Sequence, residues 1–193
     1  MLTDLLLPRA RRVIGVEVDR VLAAQLRMRY ATRTNVEILE SDILTVEFPS
    51  LIGRKAGPLH DLRPTPQEKV DVIGNLPYYI TSDIVLRLLE LHPLIRQAVI
   101  MVQREVADRI AAAPGSRDYG LLTATTQLFA RVEKLFTLSP GSFSPPPEVH
   151  SSVLRLTMEP RLEELNVGEQ DFLRLLKLAF SQKRKTLANN LRA

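Results

Sequence analysis

The sequence predicts an α/β fold in which a doubly wound, mostly parallel sheet carries helices on both faces. Four short apolar runs rich in branched residues have the length and composition of buried parallel strands. They are "RRVIGVEVD" (11–19), "NVEILESD" (35–42), "KVDVIGNLP" (69–77) and "RQAVIMVQ" (96–103). Helical patterns alternate with these runs, which indicates right-handed crossovers between neighbouring strands.

Two helices are predicted between the strands. The first is "RVLAAQLRMRYA", directly after Asp19. The second is "SDIVLRLLELHP", in which the apolar residues of one face are spaced three and four apart before Pro93 closes the segment. Residues 49–69 contain four prolines and two glycines and no sustained period, so we expect a surface loop there.

The remaining sequence predicts a strand pair and then a helical region. "DYGLLTATTQLFARVEKLF" (118–136) has the pattern of a helix leading into a strand, and "SSVLRLTME" (151–159) is a further strand suited to pair with it. A later helix places five apolar residues on one face, namely Phe172, Leu175, Leu176, Ala179 and Phe180. We expect that helix to continue through "SQKRKTLANNLRA", with Leu187 and Leu191 lacking a partner. The predicted domains are 1–160 and the start of a helical domain, 161–193.

Composition excludes several classes of site. The chain has no cysteine, which excludes disulfides and zinc-thiolate sites, and His60, His92 and His150 are not spaced as metal ligands. The N-terminus is apolar first and basic afterwards, the reverse of a secretory signal, so a cytoplasmic location is expected. A net charge of +4 mildly favours an anionic partner.

Two acidic residues lie where a cofactor containing adenosine would bind. In a doubly wound sheet, ligands bind beyond the carboxyl ends of the strands, and an acidic strand end bonds the ribose hydroxyls. Glu17 is placed for that role, and Asp42 could accept a hydrogen bond from the adenine amine. Two solvated loop acids are the alternative. A glycine-rich turn would precede Glu17 by about 20 residues, a position that falls before residue 1. We therefore expect the first strand and this turn to be missing from the sequence.

"NLPY" (75–78) suits the binding of an extruded base. The Asn75 side-chain oxygen and the Leu76 carbonyl, oriented by Pro77, could accept both hydrogens of an exocyclic amine, while Tyr78 stacks on the ring. Such bonds favour a tetrahedral nitrogen whose lone pair can attack a methyl group, and no general base is needed beforehand. The alternative is a strand-capping turn with tyrosines in the core. Tyr79 is expected to pack.

Seven segments, in order, resemble the ribosomal RNA adenine dimethyltransferases, in particular the branch that dimethylates two adjacent adenines near the 3′ end of 16S rRNA. They are "LTDLLL...VIGVEVD", "ESDIL", "NLPYYIT", "MVQREVADRI", "DYGLLTATTQ", "SFSPPPEVHSSVLRL" and "AFSQKRKTLANNL". The resemblance implies a Rossmann-like, class I S-adenosylmethionine-dependent methyltransferase without metal. It also implies that Glu17 binds the ribose of the methyl donor and that Asp42 binds its adenine. Asn75 would contact both the donor and the target amine, and Phe143 would stack on the second face of the target base. A core-filling Phe143 is the alternative.

The resemblance also implies binding to 16S rRNA in the precursor of the small ribosomal subunit. Five cations are expected to neutralise phosphates and so to position the RNA rather than read its sequence. They are Arg104, Arg109, Lys183, Arg184 and Lys185. A solvated helix face is the alternative for each.

The chain departs from the family pattern at both ends. The glycine turn and most of a C-terminal helical domain are not in the sequence, so an incomplete chain is expected. Three alternatives therefore remain: an adenine methyltransferase acting on another rRNA, a non-catalytic RNA-binding module of ribosome assembly, and a nicotinamide-dependent oxidoreductase.

Overall fold

A computed structural model describes residues 2–53, 65, 68–166, 168–182 and 185–191. The chain divides into two compact units, Met1–Gly57 and Pro58–Ala193, and each unit is described by itself. In the described ranges, no helix is long and apolar enough to cross a lipid bilayer.

The unit Met1–Gly57 is built around two parallel strands. Its elements are α1 (Leu2–Leu6), β1 (Val13–Glu17), α2 (Arg20–Arg29), β2 (Val36–Glu40) and α3 (Phe48–Leu51). In the register of the pair, Val13 lies opposite Val36 and Glu17 opposite Glu40. The helix predicted directly after Asp19 is confirmed, and Asp19 is its N-cap, because its Oδ1 atom accepts hydrogen bonds from the backbone N–H groups of Val21 and Leu22 at 2.8 and 2.9 Å.

The unit Pro58–Ala193 contains a four-stranded mixed sheet. Its elements are β3 (Val70–Asn75), α4 (Thr81–Glu90), β4 (Ile95–Gln103), α5 (Arg104–Ile110), α6 (Leu121–Phe129), β5 (Ala130–Leu138), β6 (Ser151–Met158), α7 (Leu162–Leu165), α8 (Glu169–Ala179) and α9 (Leu187–Leu191). The strand order is β3-β4-β6-β5. β3 runs parallel to β4, and β6 runs antiparallel to both of its neighbours, β4 and β5. The predicted pairing of the last two strands is thus confirmed.

The core of this unit lies against one face of the sheet. Buried residues alternate along β4 and β6, and α4, α5 and α6 contact the sheet. The fully buried positions of the two strands include Ala98, Ile100, Val102, Leu154 and Leu156. This packing holds the carboxyl ends of β3 and β4 and the start of β6 in fixed relative positions, because β4 is paired with both neighbours.

The prediction of four buried strands in one sheet is wrong in two respects. Among the described residues the strands form two sheets, β1-β2 and β3-β4-β6-β5. No residue of β1, β2 or β3 is fully buried. These strands share an edge position within their own sheets, since both strands of a two-stranded sheet are edges and β3 is the first strand in the order β3-β4-β6-β5.

The predicted continuous C-terminal helix is also wrong. α8 ends at Ala179, and α9 starts afresh at Leu187. The buried side-chain amide of Asn190 explains the turn, because it donates to the carbonyls of Ala179 at 2.7 Å and Gln182 at 3.2 Å. Carbonyls at a helix end lack intrahelical donors, so these bonds stabilise the separate α9. Most of the predicted apolar face of α8 is half-buried, but Leu175 is exposed, as is Leu187 in α9.

We expect Asn190→Ala to weaken the docking of α9. Loss of the two bonds should lower the free energy of local opening by about 1 kcal/mol. Hydrogen exchange of the α9 amides measures this change. Asn189→Ala is the matched control, because Asn189 is exposed and its side chain makes no hydrogen bond among the described residues. Equal exchange rates in the two variants would contradict the role given to Asn190.

Candidate active site

Glu17 and Asp42 lie at the same edge of the β1-β2 sheet. Glu17 is the last residue of β1, and its carbonyl accepts a hydrogen bond from the Ser41 N–H at 3.0 Å. Asp42 directly follows Ser41, so the structure brings the two predicted donor-binding carboxylates to neighbouring strand ends within the unit Met1–Gly57.

Both carboxylates are held by backbone groups and keep capacity to bind a ligand. Glu17 Oε1 accepts from the Asp19 N–H at 3.0 Å, and Asp42 Oδ1 accepts from the Leu44 N–H at 2.9 Å. Both residues are half-buried, and the described residues engage only one oxygen of each carboxylate. An ionised carboxylate has two acceptor oxygens. Each side chain can therefore accept a hydrogen bond from a ribose hydroxyl or an exocyclic amine.

The turn after β3 has a fixed backbone and free polar atoms. Leu76 is buried, and its N–H extends the pairing with β4 by donating to the Met101 carbonyl at 3.0 Å. The Pro77 carbonyl accepts from the Thr81 hydroxyl at 2.9 Å, which fixes the start of α4. In contrast, Asn75 is exposed, and the described residues donate no hydrogen bond to its side chain or to the Leu76 carbonyl. Two acceptors are thus presented on a rigid turn.

Tyr78 is tied to the start of β6. Its hydroxyl lies 2.8 Å from the Ser151 hydroxyl, which is completely buried. Ser151 pairs in register with Gln103 of β4 and Leu138 of β5. The ring of Tyr78 is therefore anchored to the first residue of β6, a strand that is paired on both sides. Tyr78 and Ser151 lie 73 positions apart, and no sequence signal indicates this contact, so sequence reasoning missed Ser151.

Tyr79 does not pack in the core, and the prediction that it packs is wrong. Tyr78, Tyr79 and Ile80 form a single 3₁₀ turn. With three residues per turn, neighbouring side chains point in directions about 120° apart. Because Tyr78 is directed to Ser151, Tyr79 turns outward and is 84% exposed.

Phe143 lies on the loop that connects β5 to β6. Since Leu138 and Ser151 are paired, this loop leaves and re-enters the sheet beside the anchor of Tyr78. A 3₁₀ turn over Pro140–Ser142 and the bond from the Phe143 N–H to the Pro140 carbonyl at 3.1 Å shape the loop. Phe143 is half-buried there, and its contact with a target base stays a prediction.

The predicted RNA-binding cations differ in their electrostatic environment. Arg104 is exposed at the start of α5, and no acidic residue in the described ranges forms an ion pair with it. Arg109 lies 3.2 Å from Glu105 one helical turn away, so its charge is partly neutralised. Lys185 is exposed. Lys183 and Arg184 lie outside the described residues. Arg104 and Lys185 therefore carry exposed charges that no described acidic residue neutralises.

The fold, with its strand-end carboxylates and Asn-Leu-Pro-Tyr turn, is that of a class I S-adenosylmethionine-dependent methyltransferase. A solved dimethyladenosine transferase from Plasmodium falciparum has a TM-score of 0.78 and 31% identity, with 100% of this chain and 63% of that chain covered. The 23S rRNA methyltransferase ErmE has a TM-score of 0.70 and 30% identity, covering 100% and 70%. The ribosomal RNA adenine dimethylase family matches residues 1–193, and the chain belongs to this family.

A curated relative narrows the comparison further. Ribosomal RNA small subunit methyltransferase A of Koribacter versatilis is 68% identical over 99% of this chain and 67% of its own length. Other curated relatives of the same name are covered over somewhat less than two thirds of their length, for example 64%. These matches confirm the family predicted from the sequence. Membership of a methyltransferase family argues against the alternative of a nicotinamide-dependent oxidoreductase.

We expect Tyr78→Phe to destabilise the protein. Removal of the Tyr78 hydroxyl leaves the buried Ser151 hydroxyl without its partner among the described residues, which should lower the free energy of unfolding by about 1 kcal/mol. Urea denaturation followed by circular dichroism measures the change. Tyr79→Phe is the matched control, because its hydroxyl is exposed to water and its loss should have no effect. If both variants unfold at the same urea concentration as the unmodified chain, the anchor is not stabilising.

Proposed function

We propose that the chain transfers methyl groups from S-adenosylmethionine to the exocyclic amines of two adjacent adenines near the 3′ end of 16S rRNA. The observation that carries the proposal is the pair of unengaged acceptors, Asn75 and the Leu76 carbonyl, on the rigid turn beside Tyr78. The reaction would take place in the cytoplasm on the precursor of the small ribosomal subunit.

Glu17 and Asp42 would hold the methyl donor. Glu17 accepts hydrogen bonds from the ribose hydroxyls, and Asp42 accepts one from the adenine amine, each with the oxygen that backbone N–H groups leave open. Bound in this way, S-adenosylmethionine supplies an electrophilic methyl on a sulfonium. The Asn75 side chain also contributes to the donor contacts in this proposal.

The acceptor residues activate the target amine without a base. Asn75 Oδ1 and the Leu76 carbonyl each accept one amine hydrogen, which favours a tetrahedral nitrogen with a localised lone pair. Tyr78 and Phe143 stack on the two faces of the extruded adenine. The amine becomes acidic only after it has gained the methyl, so its proton can then leave to water. No histidine is needed for this sequence of events.

Cations and the C-terminal helices position the RNA. Arg104 meets a phosphate at the start of α5, and Lys185 acts with Lys183 and Arg184 in the segment between α8 and α9. Arg109 contributes less, because Glu105 partly neutralises it. In this proposal the catalytic domain spans 1–160, and the helices of 161–193 contribute to RNA binding.

The small-subunit substrate is favoured over another rRNA by the relatives. The relative at 68% identity is named for the small subunit, whereas the 23S rRNA methyltransferase ErmE shares 30% identity. A non-catalytic RNA-binding module is the second candidate. Such a module would bind RNA through the same cations, and it would not need the carboxylates of Glu17 and Asp42.

Asn75→Ala should lower the rate of methyl transfer about 100-fold, the scale seen when one hydrogen bond to a developing transition state is removed. The measurement is transfer of tritiated methyl from S-adenosylmethionine to small-subunit particles that lack the modification. Asn189→Ala, at an exposed amide in α9, is the control and should retain the rate. An Asn75→Ala protein that methylates as fast as the control would overturn the role of Asn75.

Glu17→Gln should weaken donor binding about tenfold, since the amide keeps an oxygen for the Asp19 N–H but loses the charge that strengthens bonds to the ribose. Isothermal titration calorimetry with S-adenosylmethionine measures the affinity. Glu37→Gln is the control, because Glu37 lies in β2 and pairs with Arg12 on the surface. Retained rRNA binding by a chain that gives no heat with the donor would favour the non-catalytic module.

A further inference from the structure

Tyr79 is a large aromatic residue left exposed to water on the turn that carries the proposed acceptor residues. It is 84% exposed, although the residues that flank its turn, Leu76 and Thr81, are 8% and 2% exposed. The described residues make no hydrogen bond to its hydroxyl. The ring therefore contributes little to the packing of the core.

The direction of Tyr79 is set by its neighbours rather than by its own contacts. Pro77 starts the 3₁₀ turn, and its carbonyl accepts bonds from the Thr81 hydroxyl at 2.9 Å and the Ile80 N–H at 3.3 Å. Tyr78 is held by Ser151. With both sides of the turn fixed, the backbone of Tyr79 is held one residue from Tyr78, and its ring extends outward from the turn.

The surroundings of this turn favour an anionic, aromatic partner. The backbone N–H of Arg104 donates to the His150 carbonyl at 2.9 Å, and His150 directly precedes the Ser151 that anchors Tyr78. Both Arg104 and His150 are exposed. The strand end that anchors Tyr78 thus also carries an exposed cation, and exposed aromatic rings combined with cations are the features by which proteins bind single-stranded nucleic acid.

We propose that Tyr79 stacks on the nucleobase next to the extruded adenine. Extrusion of one base uncovers the face of its neighbour, and an aromatic side chain can replace the lost stacking. This inference rests on the proposed function, and with two adjacent target adenines the neighbour is itself a target. Tyr79 then holds the second adenine in place while Tyr78 and Asn75 bind the first.

Steady-state kinetics with small-subunit particles test the proposal. Tyr79→Ala should raise KM for the RNA about tenfold and leave kcat within about twofold, because stacking on the flanking base is made in the ground state and the transition state alike. Tyr79→Phe keeps the ring and should restore KM. Equal KM values for Tyr79→Ala and the unmodified chain would overturn the inference, as would a Tyr79→Phe variant as impaired as Tyr79→Ala.

A fluorescence measurement separates this inference from the proposed function. The sequence contains no tryptophan, so Tyr79→Trp introduces a single reporter at this position. A short single-stranded RNA with two adjacent adenines should quench its emission. Met28→Trp is the matched control, since Met28 is 80% exposed in the unit Met1–Gly57. Equal quenching in both variants, or none in either, would overturn the stacking role. Absence of methyl transfer by the unmodified chain would instead count against the proposed function.

Discussion

The hydrogen bond between Tyr78 and Ser151 is the constraint on which the acceptor half of the site depends. It joins the turn after β3 to the first residue of β6, and Ser151 is itself paired with β4 and β5. Because β4 also pairs with β3, the turn is fixed by the sheet on one side and by the phenol on the other. A turn held at both ends can present Asn75 and the Leu76 carbonyl without tying up their polar atoms.

Much of the local structure follows from the sequence. The strand at 70–75 and the helix after Asp19 were predictable because branched apolar runs and an N-cap act over a few residues. The break between α8 and α9 was not predictable, because it depends on the Asn190 amide reaching back to carbonyls eight and eleven residues earlier. The period of the apolar residues indicates which face of a helix packs against the core, but it carries no information about a side-chain hydrogen bond of this kind.

The candidate site likewise has a part that the sequence predicts and a part that it does not. The polar residues that follow the apolar runs, Glu17, Asp42 and Asn75, could be read from the sequence, since ligands of a doubly wound sheet bind beyond the carboxyl ends of its strands. The different surroundings of Tyr78 and Tyr79 could not. They arise from a contact 73 residues away, which directs one phenol to the sheet and leaves the other in water.

The same geometry explains how a site without a general base could select its substrate. An exposed acceptor such as Asn75 gives up water when it binds an adenine amine, so the net gain is only about 1 kcal/mol per hydrogen bond. A base that offers a carbonyl at that position cannot donate to the Leu76 carbonyl, which can only accept. Leaving such a group desolvated and unpaired costs about 1–3 kcal/mol. Selectivity for an amine would therefore come from the penalty on the wrong base, and this penalty requires that the turn be too rigid to move its acceptors away.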